Sequence, residues 1–292
     1  MKNYNIVYSK DVNVDTLKTN LGSVGASVLK SFPALCVLTI SSETEEFKTV
    51  SGVVEWEEDT HVLPVPSAWH QNRVYSETLP MLEKYYPENQ GLGATVYLID
   101  SGVKADHEEF QGKNIVELYS YNSSFDDEIG HGTGVASLIV GKTLGVSPDA
   151  TLKSVKIEMS TEIPISDLLT AFDAVLADHQ LTVTPKVVNC SWTTPKSRIL
   201  DMKITELESA GLVVVAAAGN TGEAADNFSP VGLNSVLGVA ASDAYDRVIS
   251  WAPGASSNWG PEVDVTAPGI NVEIAKLNGT VGDRKSTRLN SS

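Results

Sequence analysis

The chain has 292 residues, of which 42% are hydrophobic, and a formal net charge of -16. That length suits one large domain or a domain with a smaller companion, and the apolar content is enough for a real core. The acidity (pI about 4.6) disfavours binding to nucleic-acid phosphates, which relies on basic patches, and no apolar run is long enough to span a membrane. Neither a nucleic acid nor a membrane is therefore expected as a partner.

The two cysteines, Cys36 and Cys190, lie far apart and lack zinc-type spacing, so two reduced thiols are the simpler expectation. Met1-Lys2-Asn3-Tyr4-Asn5 leads straight into strand-like residues with no apolar signal core before them. No ordinary secretory leader is expected from such a start.

Taken in order, residues 1–63 read as a small α+β unit. Tyr4 to Tyr8 forms a strand, and Asn13 caps a short helix carrying Val14, Leu17 and Leu21. Ser27 to Phe32 and Leu35 to Ile40 are two further strands joined at Pro33-Ala34. Ser42 to Val50 is spaced for a second helix, and Val53 to Glu57 is a last strand. This β-α-β-β-α-β order is ferredoxin-like and by itself says little about function. Residues 64–90, with Pro64, Pro66, Pro80 and Pro87, read as an extended connector, and the domain boundary is expected within Leu63 to Arg73.

From Gly91 onward strands and helices alternate. Strands are expected at Thr95 to Ile99, Thr151 to Ile157, Val187 to Cys190, Leu212 to Ala218, Val236 to Ala241 and Val263 to Thr266. Helices are expected at Gly132 to Val140, after a cap at Ser166, and at Ile199 to Ala210. In the second of these, Leu168, Leu169, Phe172, Val175 and Leu176 make one apolar stripe. Such alternation predicts an α/β fold, a mostly parallel sheet with helices on both faces.

Unusual polar residues stand at three element ends. Asp100-Ser101-Gly102 follows a buried strand, His131 lies between glycines at a helix start, and Gly219-Asn220 ends a second buried strand. Singly, each reads as a cap or turn. Together they fall at one edge of the sheet, where open α/β folds bind ligands. The chemistry is coherent: a carboxylate orients an imidazole, the imidazole takes a proton from a hydroxyl nucleophile, and an amide donates to the developing oxyanion.

At these residues the sequence resembles the subtilisin-like serine proteases, or subtilases, and the later segment resembles their proteinase K-like members. Ile99-Asp100-Ser101-Gly102-Val103, His131-Gly132-Thr133-Gly134-Val135-Ala136 and Ala217-Ala218-Gly219-Asn220 stand in the family's order and spacing. The resemblance spans nearly the whole chain. It implies an inhibitory prodomain at residues 1–63, a linker and the start of the mature enzyme at 64–90, a peptidase domain at 91–283 and a tail at 284–292. It also implies Asp100 as triad acid, His131 as general base and Asn220 as oxyanion donor.

The substrate of such an enzyme is a polypeptide, and its own prodomain is an intramolecular inhibitor. Ser191, Trp192 and Thr193 stand on the family's substrate-pairing strand, where members usually carry Ser-Leu-Gly. Trp192 has two readings, a pocket wall or an inward-packed core residue, and the sequence does not choose between them. Ala217, Ala218 and Gly219 line a neutral pocket for which a hydrophobic side chain is the default expectation. No cofactor is required for the chemistry; the resemblance implies a structural calcium at Asn234, Val236 and Asp264, although Asp264 is equally readable as a turn cap.

The family's nucleophile lies in a Gly-Thr-Ser-x-Ala motif about twenty residues beyond a segment like Ala267-Pro268-Gly269, by the resemblance. Here Gly279-Thr280 is followed by Val281, and Ser286, Ser291 and Ser292 lack the flanking glycine, the following alanine and the expected helix. The chain as given is therefore expected to be inactive. A non-catalytic peptide-binding pseudoprotease is the alternative. A dinucleotide-binding protein is a weaker one, because the first strand runs into Asp100-Ser101-Gly102-Val103 and no Gly-x-Gly-x-x-Gly turn. Arg284, Lys285 and Arg288 form a basic cluster at the end of an acidic chain, from which the natural sequence is expected to stop near Lys285 or Ser286, the rest being a cloning or assembly remnant. Resequencing the source locus checks this: divergence from the given sequence after that point is expected, and a stop codon directly after Ser292 refutes it.

Overall fold

The computed structural model describes residues 2–59, 69–76, 78–79, 90–159, 163–248, 250–252 and 255–284. The chain divides into two compact units, Met1–Pro64 and Val65–Ser292.

The first unit contains β1 (Lys2–Tyr8), α1 (Val14–Ser23), β2 (Ser27–Phe32), β3 (Val37–Ser42) and β4 (Val53–Glu58). Its sheet has the order β2-β3-β1-β4 with every pair antiparallel. Asn13 starts α1 as its spacing predicts, its side-chain oxygen accepting from the amides of Asp15 and Thr16. Leu17 and Leu21, one turn apart, bury against Tyr4, Ile6, Leu38, Ile40 and Phe47. The helix expected over Ser42 to Val50 is only a 3₁₀ turn at Glu46–Thr49. Ser42 still belongs to β3, and its hydroxyl holds a turn at Thr44, so the helical segment starts later than expected. Phe47 and Val50 are buried nonetheless.

The second unit begins with α2 (Trp69–Tyr75), inside the stretch expected to be extended. Trp69 is the reason: its ring packs with Ala244, Val272 and Ile274, and its indole N–H donates to the Asn271 carbonyl at 2.9 Å. The remainder of that expected connector lies mostly outside the described residues. Then follow β5 (Thr95–Asp100), β6 (Asn114–Ser120), α3 (His131–Val140), β7 (Thr151–Lys156), α4 (Ile165–His179), β8 (Lys186–Cys190), β9 (Thr194–Pro195) and α5 (Arg198–Ser209). After them come β10 (Val213–Ala217), β11 (Phe228–Ser229), β12 (Leu237–Ser242), β13 (Ser250–Ala252), β14 (Ala255–Ser256), β15 (Val265–Pro268), β16 (Val272–Ala275) and β17 (Val281–Arg284).

Seven strands form one parallel sheet in the order β15-β12-β10-β8-β5-β7-β6. The chain runs from β5 to β6 and β7 on one side, then crosses to β8, β10, β12 and β15 on the other. This reversal leaves a crevice beyond the carboxyl ends of β5 and β8, the place where such sheets hold their sites. Along β5, Tyr97 and Ile99 face the core of α4 and α5, and Leu98 faces α3. Pro164, not Ser166, precedes α4, and no side chain caps it. The edge strand β6 had no place in the sequence-based expectation. Its residues are mostly half-buried or exposed, so they lack the apolar run that marks the interior strands.

The α3 side of the sheet is only partly covered. Val213, Leu237 and Val265 lie on that face and are 54%, 39% and 46% exposed. Parallel strands ordinarily bury both faces. Between this face, α2 and α3 lies an apolar cavity of about 380 Å³, lined among others by Val135, Leu138, Ile139, Val215 and Val239.

On the opposite face, Asp178 pins α4 to the sheet. Its carboxylate accepts from the Tyr97 hydroxyl at 2.7 Å and from the Lys153 ammonium at 2.7 and 2.6 Å. Burial pushes the Asp178 carboxyl up, but the hydrogen bonds from Lys153 and Tyr97 outweigh it and hold it below its ordinary value. The folded state therefore binds this proton less readily than the unfolded state. The stability so gained is complete above the unfolded carboxylate range (~3.9) and is lost as pH falls through the lower folded value. Asp178→Asn is expected to cost ~1–3 kcal/mol at neutral pH and to flatten the acid limb of stability, as read by urea unfolding between about pH 6 and about pH 2.

Candidate active site

The site starts where β5 stops. Asp100 is 1% exposed and His131, the first residue of α3, 2%. His131 Nδ1 lies 2.7 Å from Asp100 Oδ1, which also accepts from the Ser101 amide at 2.8 Å. A carboxylate can only accept, so Nδ1 carries the hydrogen, and the basic lone pair of the neutral ring belongs to Nε2. That is the tautomer a general base needs.

Gly132 permits this approach. A Cβ there would stand 2.1 Å from the Gly102 carbonyl oxygen and 3.1 Å from Asp100 Oδ1. Gly102 itself turns the chain at φ +105°, outside the ordinary range of other residues. The helix start is held by a residue that the motif reading passed over. Asp127, buried four positions before His131, accepts from the Ile129, Gly130 and Thr133 amides and from the Ser101 and Thr133 hydroxyls. In the sequence it is one acidic residue in Asp126-Asp127-Glu128, and only its distance before the histidine hints at a cap.

The end of β10 supplies the second part. Gly219, at φ +101°, turns the chain toward half-buried Asn220. Asn258 anchors this turn. Its backbone N–H donates to the Gly219 carbonyl at 2.9 Å, and its Oδ1 accepts from the Thr221 amide and hydroxyl and the Glu223 amide. A Cβ on Gly219 would lie 2.4 Å from Asn258 Nδ2 and 3.5 Å from Thr193 Oγ1, which places Thr193 beside the turn. Asn258 was invisible to motif reading because its partners are 35 to 39 residues away in the chain. Ser191, Ala217, Ala218, Gly219 and Asn220 line the apolar cavity together; Asp100 and His131 are not part of its wall.

Trp192 resolves to the inward reading. It is 4% exposed, its indole N–H donates to the Ile99 carbonyl at 2.9 Å, and its ring packs 6.4 Å from that of Phe172. Its side chain therefore builds no pocket wall. Cys190, at the end of β8, is a free buried thiol, pushed well up by burial and then by the Asp100 charge. It stays protonated and is no rival nucleophile.

Asn234 and Val236 precede β12, and Asp264 precedes β15. In a parallel sheet this is the edge opposite to Asp100. The Gly238 amide donates to Asp264 Oδ2 at 2.8 Å, as a turn cap would arrange it. Among the described residues, no cluster of three His, Cys, Asp or Glu side chains forms a metal centre, and no helix is long and apolar enough to cross a membrane.

With this geometry in view, residues 91–291 match the family model described as the subtilase family. The chain belongs to the subtilase family. Subtilisin-like proteinase Mp1 of Magnaporthiopsis poae is 34% identical over 211 residues, covering 68% of this chain and 50% of that protein. Proteinase R of Parengyodontium album is 28% identical over 299 residues, covering 99% of this chain and 74% of its own length. A crystal structure of a cold-adapted subtilisin-like serine proteinase superposes with a TM-score of 0.66 at 30% identity, covering 75% of this chain and 78% of that one. The fold is thus that of a subtilisin-like serine protease. This subtilase spans about half the length of Mp1 and 64% of subtilisin-like protease 1 of Pseudogymnoascus destructans.

Gly132→Ala is expected to force α3 away from the turn after β5, because the clash is with a backbone carbonyl. A loss of at least about 2 kcal/mol in urea unfolding is expected, as for other overpacked core positions; a wild-type midpoint would contradict the close approach.

Proposed function

We propose that this chain carries the acid, base and oxyanion parts of a subtilisin-like serine endopeptidase, without its nucleophile. The buried 2.7 Å hydrogen bond between Asp100 and His131 carries the reading. Asp100 orients the imidazole and stabilises the imidazolium, His131 exchanges protons through Nε2, and Asn220 donates to the oxyanion of the tetrahedral intermediate. An extended polypeptide pairs with the backbone of Ser191, Trp192 and Thr193, and its side chain enters beside Ala217, Ala218 and Gly219, where the apolar lining favours a hydrophobic residue. Residues 1–63 serve as the inhibitory prodomain, with cleavage between His61 and Arg73.

The nucleophile is missing from the described site. Gly279-Thr280 turns a hairpin: Asn278 Oδ1 accepts from the Thr280 amide and hydroxyl, and β17 returns to pair with β16. No helix starts there. Ser286, Ser291 and Ser292 lie outside the described residues. The half-open face of the sheet and its apolar cavity support the same reading, because the nucleophile of this family begins a long helix and such a helix needs an apolar bed.

Without the serine, only weak catalysis from binding and the oxyanion site remains. The purified chain is expected to leave a fluorogenic peptide uncut, to take no stoichiometric label from a serine-directed fluorophosphonate and to keep Met1 as its N-terminus. Extending it after Arg284 with the corresponding nucleophile-bearing segment of a relative such as proteinase R is expected to restore labelling, hydrolysis and cleavage near residues 61–73. His131→Ala should abolish all three. An extended chain that folds and binds peptide but neither cleaves nor labels would instead favour a pseudoprotease.

No cofactor enters the chemistry. Asn234 and Val236 carbonyls with the free Asp264 oxygen form a hard-donor set of the type calcium takes, with water completing the roughly six to eight ligands. Calcium is expected to raise the thermal midpoint of the chain and to lose that effect in Asp264→Ala; an unchanged midpoint argues for the turn cap alone.

A further inference from the structure

We infer that Asp127 is a positioning residue for the Asp100–His131 pair. This rests on the reading of that pair as the acid and base of the site. Five donors converge on its one buried carboxylate. Oδ1 accepts from the Ser101 hydroxyl at 2.8 Å, the Ile129 amide at 3.0 Å and the Gly130 amide at 2.8 Å. Oδ2 accepts from the Thr133 amide at 2.9 Å and the Thr133 hydroxyl at 2.6 Å.

Two routes lead from this carboxylate to the reacting pair. One passes through Ser101, whose hydroxyl also accepts from the Gly132 amide at 2.9 Å and whose own amide donates to Asp100 Oδ1 at 2.8 Å. The other passes through Gly130 and Thr133, which flank His131 in the chain. Thr133 Oγ1 in turn accepts from the Lys104 amide at 3.0 Å, tying in the loop after Gly102. An ordinary helix cap would satisfy only amides of its own first turn. Asp127 does that and also grips the strand end that bears Asp100.

The arrangement answers a specific need. Asp100 and His131 come from segments 31 residues apart, and their hydrogen bond has no covalent tether nearby. Side chains that do chemistry are held by partners whose own positions are locked. All five partners of Asp127 are donors, and only an acceptor-only group satisfies all of them. An amide of the same shape turns its NH₂ toward at least one donor.

The test uses the full chain with ¹⁵N-labelled histidine and follows the downfield proton on His131 Nδ1, together with the thermal midpoint. In Asp127→Asn this proton is expected to move upfield or be lost to solvent exchange. Ser101→Ala should shift it in the same direction by less, with a smaller drop in midpoint than Asp127→Asn, because it breaks one route and keeps the carboxylate. An Asp127→Asn chain with a lowered midpoint but the wild-type resonance and exchange rate overturns the inference, leaving Asp127 a cap. Should Asp127→Asn not fold, Ser101→Ala decides: an unchanged resonance refutes the relay. Asp100→Asn checks the underlying pair separately. If the resonance persists there, the pairing of Asp100 with His131 falls, whatever the Asp127 variants show.

Discussion

A buried hydrogen bond between a carboxylate and an imidazole is the constraint on which this molecule turns. Asp100 and His131 are both nearly inaccessible, and taking such groups out of water is costly unless each finds its partner. The fold meets that demand with several local devices. The strand β5 delivers Asp100 at its end, Gly102 turns the chain sharply, and Gly132 lets the helix α3 start against the backbone. Asp127 collects donors from both segments, so that the pair is held from two sides. Loosening one of these devices leaves a buried polar group misaligned, which costs more than the loss of a surface contact.

The same sheet carries an imbalance. On the side of α4 and α5 the core is continuous, with Tyr97, Phe172, Trp192 and Leu207 all buried. On the side of α3, exposed Val213, Leu237 and Val265 mark a face that parallel strands ordinarily cover. Of the residues proposed for substrate binding, Ser191, Ala217, Ala218 and Gly219 line the cavity on this open side, together with Asn220. The proposed binding surface and the uncovered face of the sheet therefore share a wall. A segment that filled the cavity would complete the hydrophobic packing on this face.

Much of the fold was legible in the chain. The α/β alternation, the interior strands and α3 follow from apolar runs and glycine stops, and the structure places β5, β8, β10 and β12 within two residues of expectation. The edge strand β6 escaped because its half-exposed residues carry no strong period. The expected helix over Ser42 to Val50 shrank to a 3₁₀ turn at Glu46–Thr49 after a local turn between Ser42 and Thr44, and α2 formed where proline density predicted an extended path, because Trp69 found a buried site. The last of these is a case in which a tertiary contact overrode local preference.

The sequence by itself determined the family and singled out Asp100, His131 and Asn220 at three element ends, since motifs are contiguous and their spacing survives in one dimension. It also determined that the Gly-Thr-Ser motif is absent. Only the tertiary structure decided that Trp192 packs inward, that Asp264 takes the Gly238 amide, and that Asp127 and Asn258 hold the two turns of the site. Those roles depend on partners as much as 93 residues away, such as Ile99 for Trp192, and a hydrogen bond of that kind leaves no periodic trace in the chain.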